Sequence, residues 1–184
     1  EHGTLLSILP PVAVSCEGRE LSYKELNERS NKLGNYLLEN DLVRPQEHIG
    51  VLMARSEWML ISLLAILKLR AVYVPLDPKY PKERISHILG AIQGRRLLCD
   101  NETVAIDKGG IEVVNVRQVL SIAGLKKEDL KLSHRADDLV YIIFTSGSTG
   151  APKGAMIEQQ GMMNHLYAKV ADLKINGQSK VVQN

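Results

Sequence analysis

Residues 141–154 join an apolar run to a loop of hydroxyl-bearing residues and glycines that ends in a lysine, with the sequence YIIFTSGSTGAPKG. Serine and threonine hydroxyls can donate hydrogen bonds, and Lys153 adds a compact positive charge. Glycines let successive backbone N–H groups point at one anion. Each charge-assisted hydrogen bond contributes about 1.5–3 kcal/mol, so several together can hold a phosphate chain. The candidate phosphate-binding residues are Thr145, Ser146, Gly147, Ser148, Thr149, Gly150, Lys153 and Gly154.

Two common nucleotide-binding motifs do not fit this loop. The Walker motif requires Gly-Lys followed by Ser or Thr, whereas Pro152 precedes Lys153 and Gly154 follows it. The GxGxxG pattern is absent as well, because Gly147 and Gly150 are spaced as GxxG. A polar turn between two strands is the alternative interpretation, since Ser, Thr and Gly are common in turns.

The loop resembles the signature of the adenylate-forming enzymes, which include acyl-CoA ligases, luciferases and the adenylation domains of nonribosomal peptide synthetases. Residues 21–26, LSYKEL, resemble the first core motif of the peptide-synthetase branch, and residues 67–77, LKLRAVYVPLD, resemble the second. The resemblance continues through residues 77–85. Three motifs in the order of the family favour an amino-acid adenylation domain. Two places depart from the pattern: Leu69-Arg70 replaces a common Ala-Gly, and Gln159 replaces a frequent His.

The resemblance implies an α/β fold, the layered sheet-and-helix N-terminal part of the adenylate-forming fold shared by acyl-CoA synthetases and luciferases. We expect residues 1–184 to be a truncated, partial N-terminal subdomain with its phosphate loop at 145–154 and the C-terminal subdomain absent. The later family motifs, for adenine, ribose, Mg2+, substrate choice and a catalytic lysine, have no counterpart in the sequence.

The implied reaction is attack of an amino-acid carboxylate on the α-phosphate of ATP, which gives an aminoacyl-adenylate and pyrophosphate. The amino acid is then loaded onto the phosphopantetheine arm of a carrier protein in nonribosomal peptide synthesis. The resemblance assigns the loop to the β- and γ-phosphates, with Mg2+ as partner. The expected partners are the amino acid, the carrier protein and the remainder of the adenylation domain.

The chain by itself is expected to be inactive, because none of its residues is expected to be catalytic or to bind a metal. The alternative is a non-catalytic truncated module that acts by protein–protein interaction. The alternative rests on the absent catalytic lysine and substrate pocket, and on an apolar sheet edge or face that truncation is expected to uncover. Both hypotheses predict that the isolated chain does not form an adenylate.

Composition narrows the classes of partner. The chain has 184 residues, 45% of them hydrophobic, which is enough for one packed core. A net charge of +2 and 4% aromatic residues argue against nucleic acid and anionic membranes as partners. The apolar run at residues 58–67 is too short to span a bilayer. Cys16 and Cys99 are expected to be buried, reduced thiols in a cytoplasmic protein.

The pattern of residues predicts alternating helices and strands. Ser22 and Glu25 predict a capping box before a helix at residues 23–39, with Tyr23 assigned to packing. Pro81 is expected to open a helix, and Asp77 is expected to stabilise a turn. The other predicted helices are 57–69 and 159–170, and the predicted strands are 49–54, 71–74, 96–99, 111–115, 139–144 and 155–158, with Pro75 and Pro78 as chain breaks. Residues 126–131 are expected to form a solvated turn or short helix.

Overall fold

The structure is a computed structural model that describes residues 11–101, 110–145 and 152–182. Its strands are β1 (Val12–Cys16), β2 (Arg19–Ser22), β3 (His48–Leu52), β4 (Val72–Leu76), β5 (Arg96–Cys99), β6 (Glu112–Asn115), β7 (Leu139–Thr145) and β8 (Lys153–Glu158). Its helices are α1 (Tyr23–Glu39), α2 (Glu57–Lys68), α3 (Lys82–Ala91), α4 (Val116–Ser121) and α5 (Gln159–Asp172). The alternation confirms the predicted α/β class.

The main sheet has the strand order β6-β5-β3-β4-β7-β8, and β1 and β2 form a separate antiparallel pair. Strands β3 to β7 run parallel to their neighbours, whereas β8 is antiparallel to β7. The chain passes from β3 to β4 on one side and then to β5 on the other. This reversal places a topological switch point beside β3.

Helices cover both faces of the sheet. Ile49, Val51 and Met53 of β3 and its following turn pack with α1, α2 and α4, while Val72 and Val74 of β4 pack with α3. Successive residues of a strand point to opposite faces of the sheet, so a short run of apolar residues contributes side chains to both hydrophobic cores. The sheet therefore lies between two helical layers, as the layered prediction requires.

Helix α1 begins at the predicted capping box. The amide of Glu25 donates to Ser22 Oγ at 3.2 Å, and the amide of Ser22 donates back to Glu25 Oε2 at 2.8 Å. Both bonds satisfy N–H groups that a helix start leaves unpaired. The predicted helix at 23–39 is confirmed, but Tyr23 is 64% exposed, so its assignment to packing is wrong.

Several predicted boundaries differ from the structure. Pro75 does not break the chain but lies inside β4, paired with Val51. It is tolerated because β4 meets β7 only at Tyr73, so a missing N–H at position 75 costs little there. The strand predicted at 49–54 is His48–Leu52, the helix predicted to end at 170 continues to Asp172, and α4 is not foreseen by the sequence pattern.

Residues 126–131 form no helix, and their backbone is bound by α1. Asn31 donates to the carbonyl of Lys127 at 2.9 Å and to Asp129 Oδ1 at 2.7 Å, and Asn35 donates to the carbonyl of Glu128 at 3.0 Å. Asn31 also accepts from Lys68 Nζ of α2 at 2.7 Å. Burial lowers the pKa of Lys68, and Asp129 opposes that effect. Residues 126–129 and 131 are exposed, which confirms the predicted solvated segment, although it is not helical. Because its backbone is hydrogen-bonded to α1, we call residues 126–131 the latch.

The two cysteines are free thiols, and only Cys99 is buried. Cys16 is half-buried, so the expectation of burial is wrong for it, because it lies on the small β1–β2 sheet rather than between the helical layers. In the part of the chain that the structure describes, no helix is both long and apolar enough to cross a membrane.

Candidate functional site

The candidate phosphate loop is the connection of the β7–β8 hairpin. β7 ends at Thr145 and β8 begins at Lys153, and these two residues are partners across the hairpin. The predicted loop at 145–154 is therefore too long at both ends: Thr145, Lys153 and Gly154 belong to strands, because the antiparallel ladder extends beyond the apolar run. Ser146, Gly147, Ser148, Thr149 and Gly150 lie outside the described residues.

Thr145 and Lys153 are both exposed, at the end of the hairpin where the connection joins the two strands. A threonine hydroxyl and a lysine ammonium are donors that suit phosphate oxygens. They do not form a ligand set for a divalent cation, which prefers carboxylate and carbonyl oxygens. Among residues 11–101, 110–145 and 152–182, no group of three or more His, Cys, Asp or Glu side chains is placed to hold a metal ion.

Gly154 is required by the close packing of the two hairpin strands. A Cβ atom at this position would lie 2.9 Å from Ile142 Cγ2 and 3.1 Å from Phe144 Cζ. Ile142 is only 1% exposed and is packed in the core, so its side chain has little room to withdraw, while Phe144 is partly buried against the same core. The glycine of the Pro-Lys-Gly sequence therefore shapes the strand that carries Lys153.

The hairpin connection lies at the carboxyl end of β7, in line with the carboxyl ends of the other parallel strands. Open α/β sheets bind their ligands at this edge. Asp77, which follows β4, accepts from the amide of Lys79 at 2.8 Å, which confirms its predicted role in a turn. Asp100, which follows β5, pairs with Arg117 at 3.0 Å. These two carboxylates therefore have structural partners, while Thr145 and Lys153 face solvent.

The opposite, amino end of β7 carries an ion pair that the sequence motifs did not indicate. Arg70 donates from Nε to Asp138 Oδ2 and from a terminal nitrogen to Asp138 Oδ1, both at 2.8 Å. The Arg70 guanidinium, with help from the amide of Arg135, lowers the pKa of Asp138 to about 2. The same bonds raise the pKa of Arg70. In the sequence, the only sign of this ion pair is Arg70 itself, which stands where the family motif commonly has Gly.

Helix α5 and strand β8 present an apolar surface to solvent. None of the α5 residues is buried, and Met156 of β8 is 61% exposed. Leu166, Val170 and Leu173 follow one another at helical spacing and are each at least 45% exposed. We call Leu166, Val170 and Leu173 the α5 face. An amphipathic helix normally turns such a stripe toward a core.

Comparison with known proteins identifies the family of this chain and its relatives. The AMP-binding enzyme family matches residues 11–183. Bacitracin synthase 3 of Bacillus licheniformis is 42% identical over 176 residues, which are 93% of this chain and 3% of the synthase.

Two solved structures from Klebsiella oxytoca are similar in sequence and fold. The NpsA N-terminal subdomain in complex with 3-hydroxybenzoyl-AMSN has a TM-score of 0.72 and 29% identity, over 83% of this chain and 38% of that one. The artificially fused adenylation-PCP di-domain NpsA-ThdA has a TM-score of 0.74 and 29% identity, over 83% of this chain and 30% of that one. The chain thus spans a minor part of each protein that it resembles.

Proposed function

Because this chain belongs to the AMP-binding enzyme family, we propose that it forms the N-terminal part of an amino-acid adenylation domain in a nonribosomal peptide synthetase. In the complete domain, an amino acid is activated with ATP to an aminoacyl-adenylate for loading onto a carrier protein. The similarity to bacitracin synthase 3 and to the NpsA-ThdA di-domain supports both the amino acid and the carrier as partners.

The observation that carries the proposal is the pairing of Thr145 with Lys153 at the carboxyl end of β7. These residues bracket the connection that contains Ser146, Gly147, Ser148, Thr149 and Gly150, whose hydroxyls and amides we assign to the phosphates of ATP. Lys153 neutralises negative charge, and Thr145 donates a hydrogen bond from the other strand. The chain thus positions the phosphates, and the remaining machinery belongs to the rest of the domain.

We assign Mg2+ to the nucleotide rather than to a protein site in this chain. The donors at the hairpin suit phosphate and not the metal, so the ion is expected to enter with ATP and to spread charge over its phosphates. The phosphopantetheine arm belongs to the carrier protein. We also assign the protein to the cytoplasm, on the two free thiols.

The proposal is tested with Lys153→Ala in a protein that carries this chain within a complete adenylation domain. Loss of one charge-assisted phosphate contact should raise the KM for ATP in ATP–pyrophosphate exchange by about 10- to 100-fold. The matched control is Lys24→Ala, because Lys24 is an exposed lysine on α1 rather than on the hairpin. Unchanged exchange kinetics for Lys153→Ala would defeat the assignment.

The second candidate function is a non-catalytic module that binds another chain. The exposed α5 face is the observation that favours it, since apolar surface of this kind marks interaction sites. The reading frame beyond Asn184 separates the candidates. Continuation into further adenylation motifs supports the enzyme, whereas an immediate stop codon supports the module.

A further inference from the structure

The β7–β8 hairpin lies beside β4, and few backbone ladder pairs join the two at this seam. β3 and β4 are paired over their whole length, from His48 to Leu52 on one strand. In contrast β4 and β7, both of which lie wholly within the described residues, are paired only at Tyr73 and Tyr141. Each ladder pair lost at a seam removes hydrogen bonds that hold strands in register. Packing of Ile142 against Val72 and Val74, and contacts outside the ladder, therefore contribute to the position of the hairpin.

The ion pair of Arg70 and Asp138 bridges this seam at its amino end. Arg70 lies just before β4, and Asp138 lies just before β7. The side chains are 21% and 6% exposed, so water competes little for their bonds. A guanidinium that binds both oxygens of one carboxylate fixes orientation as well as distance. The pair therefore joins the segment before β4 to the segment before β7.

Gln46 reinforces the same junction from the segment before β3. Its backbone amide and its side-chain amide both donate to the carbonyl of Arg70, at 2.7 and 2.9 Å. Its side-chain oxygen accepts from the amide of Leu139 at 2.9 Å. One side chain thus connects the residue before β4 to the first residue of β7.

The backbone around Asp138 is also hydrogen-bonded to the start of α5. The carbonyl of Asp138 accepts from the amide of Gln159 at 2.8 Å, and the carbonyl of Ala136 accepts from the amide of Gln160 at 3.0 Å. Helix α5 has no side-chain cap at its start, so these carbonyls satisfy the N–H groups of its first turn. The start of α5 is therefore attached to the residues that precede β7.

The backbone of Arg70 shows that its side chain is not needed to end α2. Arg70 has a φ of +57°, and the amides of Arg70 and Ala71 donate to the carbonyls of Leu67 and Ile66, in a Schellman arrangement. Glycine adopts this backbone without strain, so an arginine here is the less favourable way to end a helix. What arginine adds is its contact with Asp138.

We propose that Arg70 is a positioning residue that acts through Asp138 to hold the β7–β8 hairpin and α5 in place against the sheet. The functional consequence, that Thr145 and Lys153 are presented correctly to phosphate, rests on the proposed function. The structural consequence does not, because it concerns only how the hairpin is attached.

Hydrogen exchange of the 184-residue chain tests the structural part. Arg70→Gly removes the guanidinium while relieving the backbone, and Asp138→Asn removes the charge with little change of shape. In either variant, the amides of β7 and β8 should exchange at least about tenfold faster, since charge-assisted hydrogen bonds are lost, while β3 and β5 keep their wild-type rates. The double variant should add little to the single ones, because both remove one contact.

The control is Arg44→Ala, which removes an arginine from an ion pair with Asp41 whose side chains are about three-quarters exposed. It should leave exchange in the hairpin unchanged. If Arg70→Gly and Asp138→Asn also leave the hairpin amides at wild-type rates, Arg70 merely ends the helix and the proposal is overturned.

The functional part is tested in a complete adenylation domain. Arg70→Gly should raise the KM for ATP by about threefold to tenfold with the KM for the amino acid little changed, as expected for a displaced contact that is not lost. Faster hairpin exchange with an unchanged KM for ATP would overturn the positioning role. Lys153→Ala is measured alongside. An unchanged KM for ATP in that variant would defeat the proposed function, and the hydrogen-exchange result would still test whether Arg70 and Asp138 hold the hairpin in place.

Discussion

Gly154 lies where a side chain has no space. Its nearest neighbour, Ile142 Cγ2, belongs to a β-branched side chain whose rotamer is restricted, and it is packed in the core. The strain of an added methyl group must therefore fall on the hairpin backbone. The position depends on glycine for packing rather than for a special backbone angle.

We predict that Gly154→Ala destabilises the chain by about 1–3 kcal/mol, the usual cost of overpacking a filled site. Urea unfolding of the purified chain measures this change. The matched control is Gly161→Ala on exposed α5, where a Cβ would meet only Ile157 at 3.9 Å. That variant should gain roughly 0.5–1 kcal/mol, because alanine favours helix. Equal effects at the two glycines would contradict this account.

The chemical types of the site residues are readable from sequence, but their partners are not. A local pattern predicts the donors at 145–154, whereas no local pattern indicates a role for Asp138. Its partner Arg70 lies in a different part of the chain, and only the parallel pairing of β4 with β7 brings the two together. Long-range ion pairs have no local spacing rule.

Helix α1 illustrates an element whose start is encoded locally. The Ser22 hydroxyl and the Glu25 carboxylate exchange bonds within one turn, and Ser22 is 7% exposed. Such an arrangement is visible in the sequence because it needs only residues three apart.

We predict that Ser22→Ala lowers the free energy of unfolding by about 1–2 kcal/mol, since an N–H group at a buried helix start loses its acceptor. Ser56→Ala at the start of α2 is the comparison, because Ser56 Oγ accepts from Met59 at a longer 3.4 Å. Its cost should be smaller. Chemical denaturation followed by circular dichroism gives both values, and a larger loss at Ser56 would refute the ranking.

The latch at residues 126–131 shows how far a local pattern reaches. Its mixed charges predict a solvated segment, and its residues are largely exposed. The pattern does not show that the side-chain amides of Asn31 and Asn35 donate to its backbone carbonyls. Asn31 is 1% exposed and contacts both the latch and Lys68. The sequence cannot show that a distant helix supplies these donors. The same limit applies to β8, whose first two residues pair because β7 lies beside them.

For the whole molecule, alternating helices and strands are enough to predict the α/β class but not the order of the strands. The order β6-β5-β3-β4-β7-β8 requires two crossings of the sheet, and these follow from which apolar faces can be buried together. The layers can be predicted because runs of apolar residues contribute to the cores on both faces of the sheet. The sequence does not show which strands lie at the edges of the sheet.

The α5 face bears on how this chain relates to a larger protein. Leu166, Val170 and Leu173 are spaced for one side of a helix, yet this side meets solvent. The chain spans only 38% of the NpsA N-terminal subdomain that it resembles. We expect further chain of the same domain to cover the face in a complete adenylation domain.

We predict that Leu166→Glu has little effect on the stability of the 184-residue chain but destabilises a complete adenylation domain. In the 184-residue chain, where Leu166 is 49% exposed, the free energy of unfolding should change by no more than about 0.5 kcal/mol. In a complete adenylation domain, a carboxylate buried at this position should cost more than about 2 kcal/mol. Asn164→Glu on the same helix, an exposed polar position, should be neutral in both. Thermal and urea unfolding of the four variant proteins give the comparison.

An equally small effect of Leu166→Glu in the complete domain would mean that the α5 face stays exposed there, which favours the interaction module over the enzyme.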